Sequence, residues 1–145
     1  MAQIIGRTGK AVQVHFLGIN NVMMRLQLLN KQIELGADLG VVRAGAFIEE
    51  EVKESITGGR AEPKSVTSGK LANSIEFVKT GKAQGVVKPK KQNYPGTSTT
   101  TEDTAMFMEY GTSNRPYPRS HFRNTKTRNQ DKVEDIINSE IKKAV

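Results

Sequence analysis

The chain contains no cysteine and no tryptophan, and its aromatic residues are few, with five phenylalanines and three tyrosines among 145 residues. The lack of cysteine excludes a disulfide framework, thiol catalysis and every zinc site built on thiolates. No apolar run approaches the ~18 residues of a membrane-spanning helix, and the first residues lack the basic start and long apolar stretch of a signal peptide. We therefore expect a soluble, unexported protein that makes no contact with a membrane.

Acidic residues are scarce in one part of the chain. The whole sequence has 22 lysines and arginines against 15 acidic residues, a net charge of +7, but residues 61–100 hold seven lysines and only two acidic residues. Most of these lysines flank or lie within a Gly/Pro/Thr-rich stretch: Lys79, Lys82, Lys88, Lys90 and Lys91. A smaller patch without acidic residues follows at Arg115, Arg119, Arg123, Lys126 and Arg128. The lysine cluster indicates either sequence-independent attraction to phosphate or a solvated loop.

Hydrophobic periodicity predicts one long helix near the start of the chain. Residues 11–16 alternate in polarity and predict a short strand, which Gly18 ends. From residue 19 apolar side chains recur at steps of three and four to about residue 56, with small residues at Ala37, Gly40 and Ala44 that would let another backbone approach closely. A straight helix of ~38 residues would span ~57 Å, whereas a compact chain of this size has a radius of gyration of ~15 Å. We therefore predict a bent or broken helix, or one that projects into a neighbouring subunit.

The rest of the chain predicts a small sheet and a second helix. Residues 67–75 read as one helical turn that leads into a strand at 75–79, and a second strand follows at 83–88. A long mobile loop of about residues 88–104 contains nothing to bury, residues 104–110 form a strand or short helix, and an amphipathic helix runs from about Thr125. We expect one α+β domain over residues 1–145, in which a long bent N-terminal helix and a C-terminal helix pack on a small antiparallel sheet.

The sequence offers no catalytic, cofactor-binding or metal-binding constellation. Residues 6–11 resemble a phosphate-binding loop only superficially, because two residues separate the glycines where four are needed. The two histidines lie far apart, and we expect His15 on a strand face and His121 in a polar loop. Glu109 has no second carboxylate or nucleophile at a recognisable spacing, so structural hydrogen bonding is the expected role of this residue. We expect no enzymatic activity and no cofactor.

Two segments of the chain resemble a known family. Residues 106–113 read Met-Phe-Met-Glu-Tyr-Gly-Thr-Ser and are followed by two prolines and Phe-Arg, while residues 68–75 read Ser-Gly-Lys-Leu-Ala-Asn-Ser-Ile. In both segments and in their order, the sequence resembles the tail-completion, or head-tail joining, family of long-tailed double-stranded DNA bacteriophages. The resemblance covers roughly residues 11–144, although residues 118–124 are looser than the compact Pro-Phe-x-Arg-Pro of the family.

The resemblance implies a structural role in the virion. The protein would form a ring, of six copies, at the head-proximal end of the tail, where it would contact tail tube or terminator proteins and the head connector, and DNA would pass through its channel. The motif residues that would shape the fold or the assembly are Gly69, Leu71, Ile75, Phe107, Glu109, Tyr110, Gly111, Thr112, Pro116, Pro118, Phe122 and Arg123. The lysines that would face DNA or a neighbouring subunit are Lys82, Lys88, Lys90 and Lys91.

Two alternatives stay open at the level of sequence. Within the same class, the subunit is a head-closure or adaptor protein, or a tail terminator that stops growth of the tube. In a different class, it is a basic regulator that binds nucleic acid, for which the support is the net charge of +7 and the lysine cluster.

Overall fold

The computed structural model describes residues 31–60, 69–114 and 117–145 in full, and residues 3–8 and 11–15 as backbone. These residues form a mixed helix and sheet fold, as the sequence predicts. A C-terminal helix and a long helix near the N-terminus pack on an antiparallel sheet.

Four strands form the sheet, in the order β1-β2-β4-β3. They are β1 (Gln3–Thr8), β2 (Ala11–His15), β3 (Ile75–Gly81) and β4 (Gln84–Pro89), and each neighbouring pair is antiparallel. The predictions of β2, β3 and β4 are confirmed. The sequence analysis does not predict strand β1. This strand pairs with β2 and contains Gly6, so the start of the segment that superficially resembles a phosphate-binding loop belongs to an ordinary β-hairpin.

The long helix α1 spans Lys31–Thr57 and lies against the β3–β4 hairpin. Its contact is close at Gly45, where an added Cβ would lie 2.1 Å from the ring of Phe77. Asp38 of α1 accepts a hydrogen bond of 3.0 Å from the backbone N–H of Ala83, the residue with a positive φ of 50° in the hairpin turn. Helix α1 therefore contacts the hairpin at two places, on the side that carries Phe77 and at the turn that contains Ala83.

The second long helix, α4 (His121–Ala144), packs along α1. Two glycines of α1 make this approach possible, since an added Cβ on Gly36 or Gly40 would lie 2.9 Å from the Cα of Ile141 or Ile137, respectively. The predicted close backbone approach is confirmed. Helix α1 runs without a break through both glycines, so the predicted break is not found between residues 31 and 57, and the predicted start at residue 19 lies outside the described residues.

The described residues also form two shorter helices, α2 (Lys70–Ser74) before β3 and α3 (Thr101–Tyr110) after β4. The four helices and the β3–β4 hairpin share one hydrophobic core, in which the largest buried apolar side chains are those of Ile48, Ile56, Leu71, Ile75 and Phe122. The predicted helical turn before β3 is confirmed. The segment predicted as strand or helix at residues 104–110 is a helix.

The loop after β4 is shorter than predicted, because α3 already begins at Thr101. The hydroxyl of Thr100 accepts a hydrogen bond of 3.2 Å from the N–H of Asp103, whose carboxylate accepts one of 3.1 Å from the N–H of Thr100. This capping box satisfies amides that the first turn of a helix leaves without partners. Thr100 and Thr101 are buried, so the expectation that this segment has nothing to bury is wrong.

Helix α4 begins four residues before the predicted start at Thr125, and the early start buries His121. The predicted polar loop at His121 is therefore wrong. The reason is a buried hydrogen bond of 2.7 Å between Nδ1 of His121 and the hydroxyl of Ser55, which gives the imidazole a partner inside the protein.

Candidate functional site

The motif residues of the second segment meet where α3 ends and α4 begins. Helix α3 ends at Tyr110, and the next residue, Gly111, has a φ of 77° and donates a hydrogen bond of 2.8 Å to the carbonyl of Phe107. A φ of this sign strains residues that have a side chain, so glycine suits the position. The chain then returns to the start of α4 at His121.

Glu109 joins the two helices through its carboxylate, which is almost completely buried at 1% exposure. One oxygen, Oε2, accepts a hydrogen bond of 3.0 Å from the N–H of Phe122. The other, Oε1, accepts one of 2.9 Å from the N–H of Arg123 and one of 3.0 Å from Nε of the same residue. The residue before the helix, Ser120, makes no side-chain cap, so Glu109 supplies the cap of α4 from outside that helix.

Arg123 completes the junction from the side of α4. Its Nη2 donates hydrogen bonds of 2.6 Å to the backbone carbonyl of Glu109 and 2.8 Å to the hydroxyl of Ser120. Its guanidinium lies 4.7 Å from the centre of the Tyr110 ring, within the range of a cation–π contact. One arginine thus holds the last turn of α3, the connection and the first turn of α4. We call Glu109, Phe122 and Arg123 the junction clamp.

The electrostatics of Glu109 agree with a structural role. Burial raises the pKa of the Glu109 carboxyl, while hydrogen bonds from Arg123 and Phe122 act in the opposite direction. Both carboxylate oxygens already accept hydrogen bonds from the clamp. The structural hydrogen bonding expected of this residue is observed, and its main contribution is to fix the angle between two helices.

The remaining motif residues divide between the core and the surface. Leu71, Ile75 and Phe122 are buried in the core, and Gly69 takes a φ of 76° where it precedes α2. Pro118 is exposed, and Pro116 lies outside the described residues. The motif segment with Leu71 and Ile75 therefore contributes to the core, and the motif segment with Glu109 forms the junction.

A shallow apolar groove opens beside the junction, with a volume of about 220 Å³. Two of its lining residues, Phe107 and Tyr117, are large apolar side chains with exposures of 48% and 87%. The residues that line it are Thr104, Phe107, Met108, Thr112, Tyr117 and Arg119. We call this the exit groove. The sequence motif indicated Phe107 and Thr112, but it missed Tyr117, whose only signal is a large aromatic residue in a polar segment.

The lysines of the middle segment differ in their surroundings. Nζ of Lys79 lies 2.5 Å from a carboxylate oxygen of Asp38, and Nζ of Lys82 lies 3.9 Å from one of Glu34. Lys90 and Lys91 are exposed, and within the described part of the chain neither forms a salt bridge. Lys88 is half-buried on β4. Among the lysines of this segment, the exposed ones without a salt bridge in the described part of the chain therefore lie just after β4.

Among residues 31–60, 69–114 and 117–145 together with the two N-terminal strands, no group of three or more His, Cys, Asp or Glu residues is placed to hold a metal ion. Within the same ranges, no helix is long and apolar enough to cross a membrane. The buried pair of Ser55 and His121 lies inside the protein, at 0% and 2% exposure.

Comparison of the chain with known protein families, curated protein sequences and solved structures finds no match.

Proposed function

We propose that this chain is a structural subunit of a phage neck. Copies of it form a ring, of six subunits, at the head-proximal end of the tail and join that tail to the connector of the filled head. The partners are other copies of the chain, proteins of the tail tube or its terminator, and proteins of the head connector. The role is assembly and involves no bond chemistry.

The observation that supports this proposal best is the junction clamp. The Phe-x-Glu-Tyr-Gly-Thr segment and the later Phe-Arg pair are among the parts of the sequence that resemble the tail-completion family, and nine residues separate them in the chain. In the structure Glu109 of the first part is hydrogen-bonded to Phe122 and Arg123 of the second. Both parts of the resemblance therefore contribute to the same hydrogen-bonded contact between α3 and α4.

The exposed lysines suit a subunit near DNA. Contacts from lysine to phosphate carry no sequence information and tolerate a strand that moves past them. Lys90 and Lys91 are exposed at the end of β4, and no salt bridge among the described residues engages them. We propose that Lys88, Lys90 and Lys91 face the channel or a neighbouring subunit, while Lys82 contacts Glu34 within its own chain.

Loss of the protein during phage growth tests the proposal. A phage with a nonsense mutation in the gene for this chain should produce full heads and finished tails that electron microscopy shows unjoined. Supply of the intact chain from a plasmid should restore joined particles. Normal joined particles without the protein would overturn the proposal.

A second experiment separates the roles within this class. Tails can be purified from a mutant that makes no heads, and heads from a mutant that makes no tails, and each can be probed for this chain by mass spectrometry. A tail-completion subunit should remain with the tails and leave their length normal. Presence on heads alone would indicate a head-closure or adaptor protein, and tails of irregular length without the chain would indicate a terminator.

A further inference from the structure

Thr101, the first residue of α3, is fully buried and holds the backbone of the segment that follows β4. Its hydroxyl donates a hydrogen bond of 2.6 Å to the carbonyl of Lys90 and accepts one of 3.1 Å from the N–H of Gln92. Its own N–H donates one of 2.9 Å to the carbonyl of Gln92. The N–H of Lys90 donates one of 2.7 Å to the carbonyl of Ser74 at the end of α2. The backbone on both sides of Lys91 is therefore held by the body of the protein.

The chain beyond these bonds folds back on itself as a small hairpin. Asn93 and Thr100 form an antiparallel β-bridge, and the N–H of Tyr94 donates a hydrogen bond of 3.0 Å to the carbonyl of Thr99. We call residues 90–101 the lysine hairpin. Its two lysines therefore lie at the base of an element with hydrogen bonds of its own.

The lysine hairpin carries positive charge and no acidic residue. No Asp or Glu occurs in residues 88–101. Lys90 and Lys91 are exposed, and in the described part of the chain no carboxylate forms a salt bridge with either, including those of Glu102 and Asp103 just beyond the hairpin. Both ammonium groups are therefore available to an anion from outside the subunit.

The other exposed side chains of the lysine hairpin favour DNA over a protein as its partner. They include amides and hydroxyls, at Gln92, Asn93, Thr97 and Ser98. Such groups, together with lysine, are the ones that contact phosphates and sugars. The core of a protein interface is instead enriched in aromatic residues, methionine and arginine, and depleted in lysine and serine. The aromatic residue of the hairpin, Tyr94, is half-buried and its hydroxyl oxygen is buried, so the hairpin exposes donors for phosphate and no aromatic anchor.

We propose that Thr101 positions Lys90 and Lys91 to bind the phosphate backbone of duplex DNA. The hydroxyl of Thr101 acts through the backbone on both sides of Lys91, so both lysine side chains extend from Cα atoms that are already fixed. Ordering before binding lowers the entropy that binding costs. The inference rests on the proposed function, in which DNA passes through a ring of these subunits, and it assigns the lysine pair to DNA rather than to a neighbouring subunit.

Removal of one hydroxyl tests the role of Thr101 without a change of charge. We expect Thr101→Val to weaken binding of the full chain to a random duplex by about threefold, measured by fluorescence anisotropy at about 50 mM salt. Thr101→Ser keeps the hydroxyl and should bind as the wild type does. The matched control is Thr104→Val, which removes a hydroxyl of the same helix that donates to the carbonyl of Thr100 and should leave the affinity unchanged. Equal affinities of the two valine variants, or no binding by the wild type, would overturn the proposal.

A double-mutant cycle separates positioning from a general loss of stability. In a chain that already carries Lys90→Ala and Lys91→Ala, Thr101→Val should cause no further loss of affinity for the duplex, because the side chains that it positions are gone. A further loss of the same size as in the wild-type background would show that Thr101 acts through other groups, and would overturn the proposal.

Hydrogen exchange of the wild-type chain provides a test that needs no variant. The random duplex at low salt should slow exchange of the amides in residues 90–101 and leave those at the end of α4 unchanged. Absence of protection in residues 90–101 would overturn the proposal. Protection there by polyglutamate but not by the duplex would indicate an acidic protein as the partner and would equally overturn it.

These tests fail separately from the proposed function. If particles stay unjoined without the protein but binding of the duplex does not depend on Thr101 or the two lysines, the function stands and the DNA contact is wrong. If binding depends on all three residues but particles join normally without the protein, the DNA contact stands and the function is wrong.

Discussion

The carboxylate of Glu109 accepts hydrogen bonds from both the backbone N–H and the Nε of Arg123, at 2.9 and 3.0 Å. One side chain therefore caps the first turn of α4 and pairs with a residue of that same turn. Because Glu109 belongs to the last turn of α3, the pair fixes the angle between two helices rather than stabilising either one alone. The exit groove lies beside this junction, and Met108 and Arg119 are among its lining residues.

Replacement of Glu109 by glutamine should lower the free energy of unfolding by about 2 to 3 kcal/mol. Glutamine keeps one acceptor oxygen, but its NH₂ group would face donors of the junction clamp. Urea denaturation of the wild type and the variant measures the effect. The matched control is Glu50→Gln on the exposed side of α1, which should change stability by under about 0.5 kcal/mol. A loss no larger than that of the control would contradict the role of the clamp.

Much of the fold could be predicted because its signals are local. The period of apolar residues located the buried face of α1, and alternation located β2, β3 and β4. The same rules missed the start of α3, where the polar segment reads as loop. The signal was present in Thr100 and Asp103, which have the spacing of a capping box.

The candidate site could be predicted only in part, since its contacts are not local. The sequence indicated Glu109 and Arg123 as motif residues, but their bond joins positions 14 residues apart and needs the folded chain. The early first turn of α4 is held by Ser55 and Glu109, which belong to other helices, so it could not be read from the sequence of α4 alone. The period of apolar residues indicates one buried face of α1, and it does not indicate the exposed Leu35, Leu39 and Val42 on the opposite side of the helix.

The contact of Asp38 with the β3–β4 hairpin should make stability depend on pH in a defined window. Burial acts to raise the pKa of the Asp38 carboxyl, but hydrogen bonds from Lys79 and Ala83 outweigh it and leave the pKa below its ordinary value of 3.8. The contribution to stability is therefore fully present above the pKa of the unfolded chain, and it is lost as the pH falls through the lower pKa of the folded chain.

The variant Asp38→Asn tests this dependence. Its loss of stability relative to the wild type should be constant above about pH 5 and should shrink as the pH falls below about 4. Denaturation series between about pH 3 and about pH 7 measure it. In a Lys79→Met background the dependence should be weaker, because one of the two donors is gone. If Asp38→Asn lowers stability by the same amount at every pH, the lowered pKa of Asp38 in the folded chain is wrong.

Close packing of α1 on α4 should reverse the usual effect of replacing a helical glycine. Alanine in place of glycine inside an exposed helix stabilises by up to about 1 kcal/mol. At Gly40 the new Cβ would lie 2.9 Å from the Cα and 3.2 Å from the carbonyl oxygen of Ile137, both backbone atoms. We expect Gly40→Ala to destabilise the protein by about 1 to 3 kcal/mol, as overpacking does.

The sign of the effect is the readout for Gly40→Ala. Alanine and glycine variants at exposed Glu50 of the same helix provide the control. Comparison of those two variants measures helix propensity without packing, and the alanine variant should be the more stable. If Gly40→Ala also proves more stable than the wild type in urea denaturation, the close approach of the two helices is wrong.

The exposed lysines at the end of β4 should govern whatever affinity the chain has for DNA. Each lysine that contacts phosphate contributes about 0.9 to the slope of log affinity against log salt. We therefore expect the double variant Lys90→Ala and Lys91→Ala to bind random duplex more weakly at low salt, with a slope reduced by about 2. Lys142→Ala with Lys143→Ala removes the same charge from the end of α4 and should leave the slope unchanged.

The same titration separates the assembly role from the nucleic-acid regulator. A ring subunit that lets DNA pass should show little affinity at physiological salt and no preference between duplex sequences, because phosphate contacts carry no sequence information. A regulator should bind one sequence tightly under those conditions, since base contacts add free energy that salt does not remove. Fluorescence anisotropy with two unrelated duplexes measures both properties. Tight binding that discriminates between them would favour the regulator and contradict the proposed role of Lys90 and Lys91.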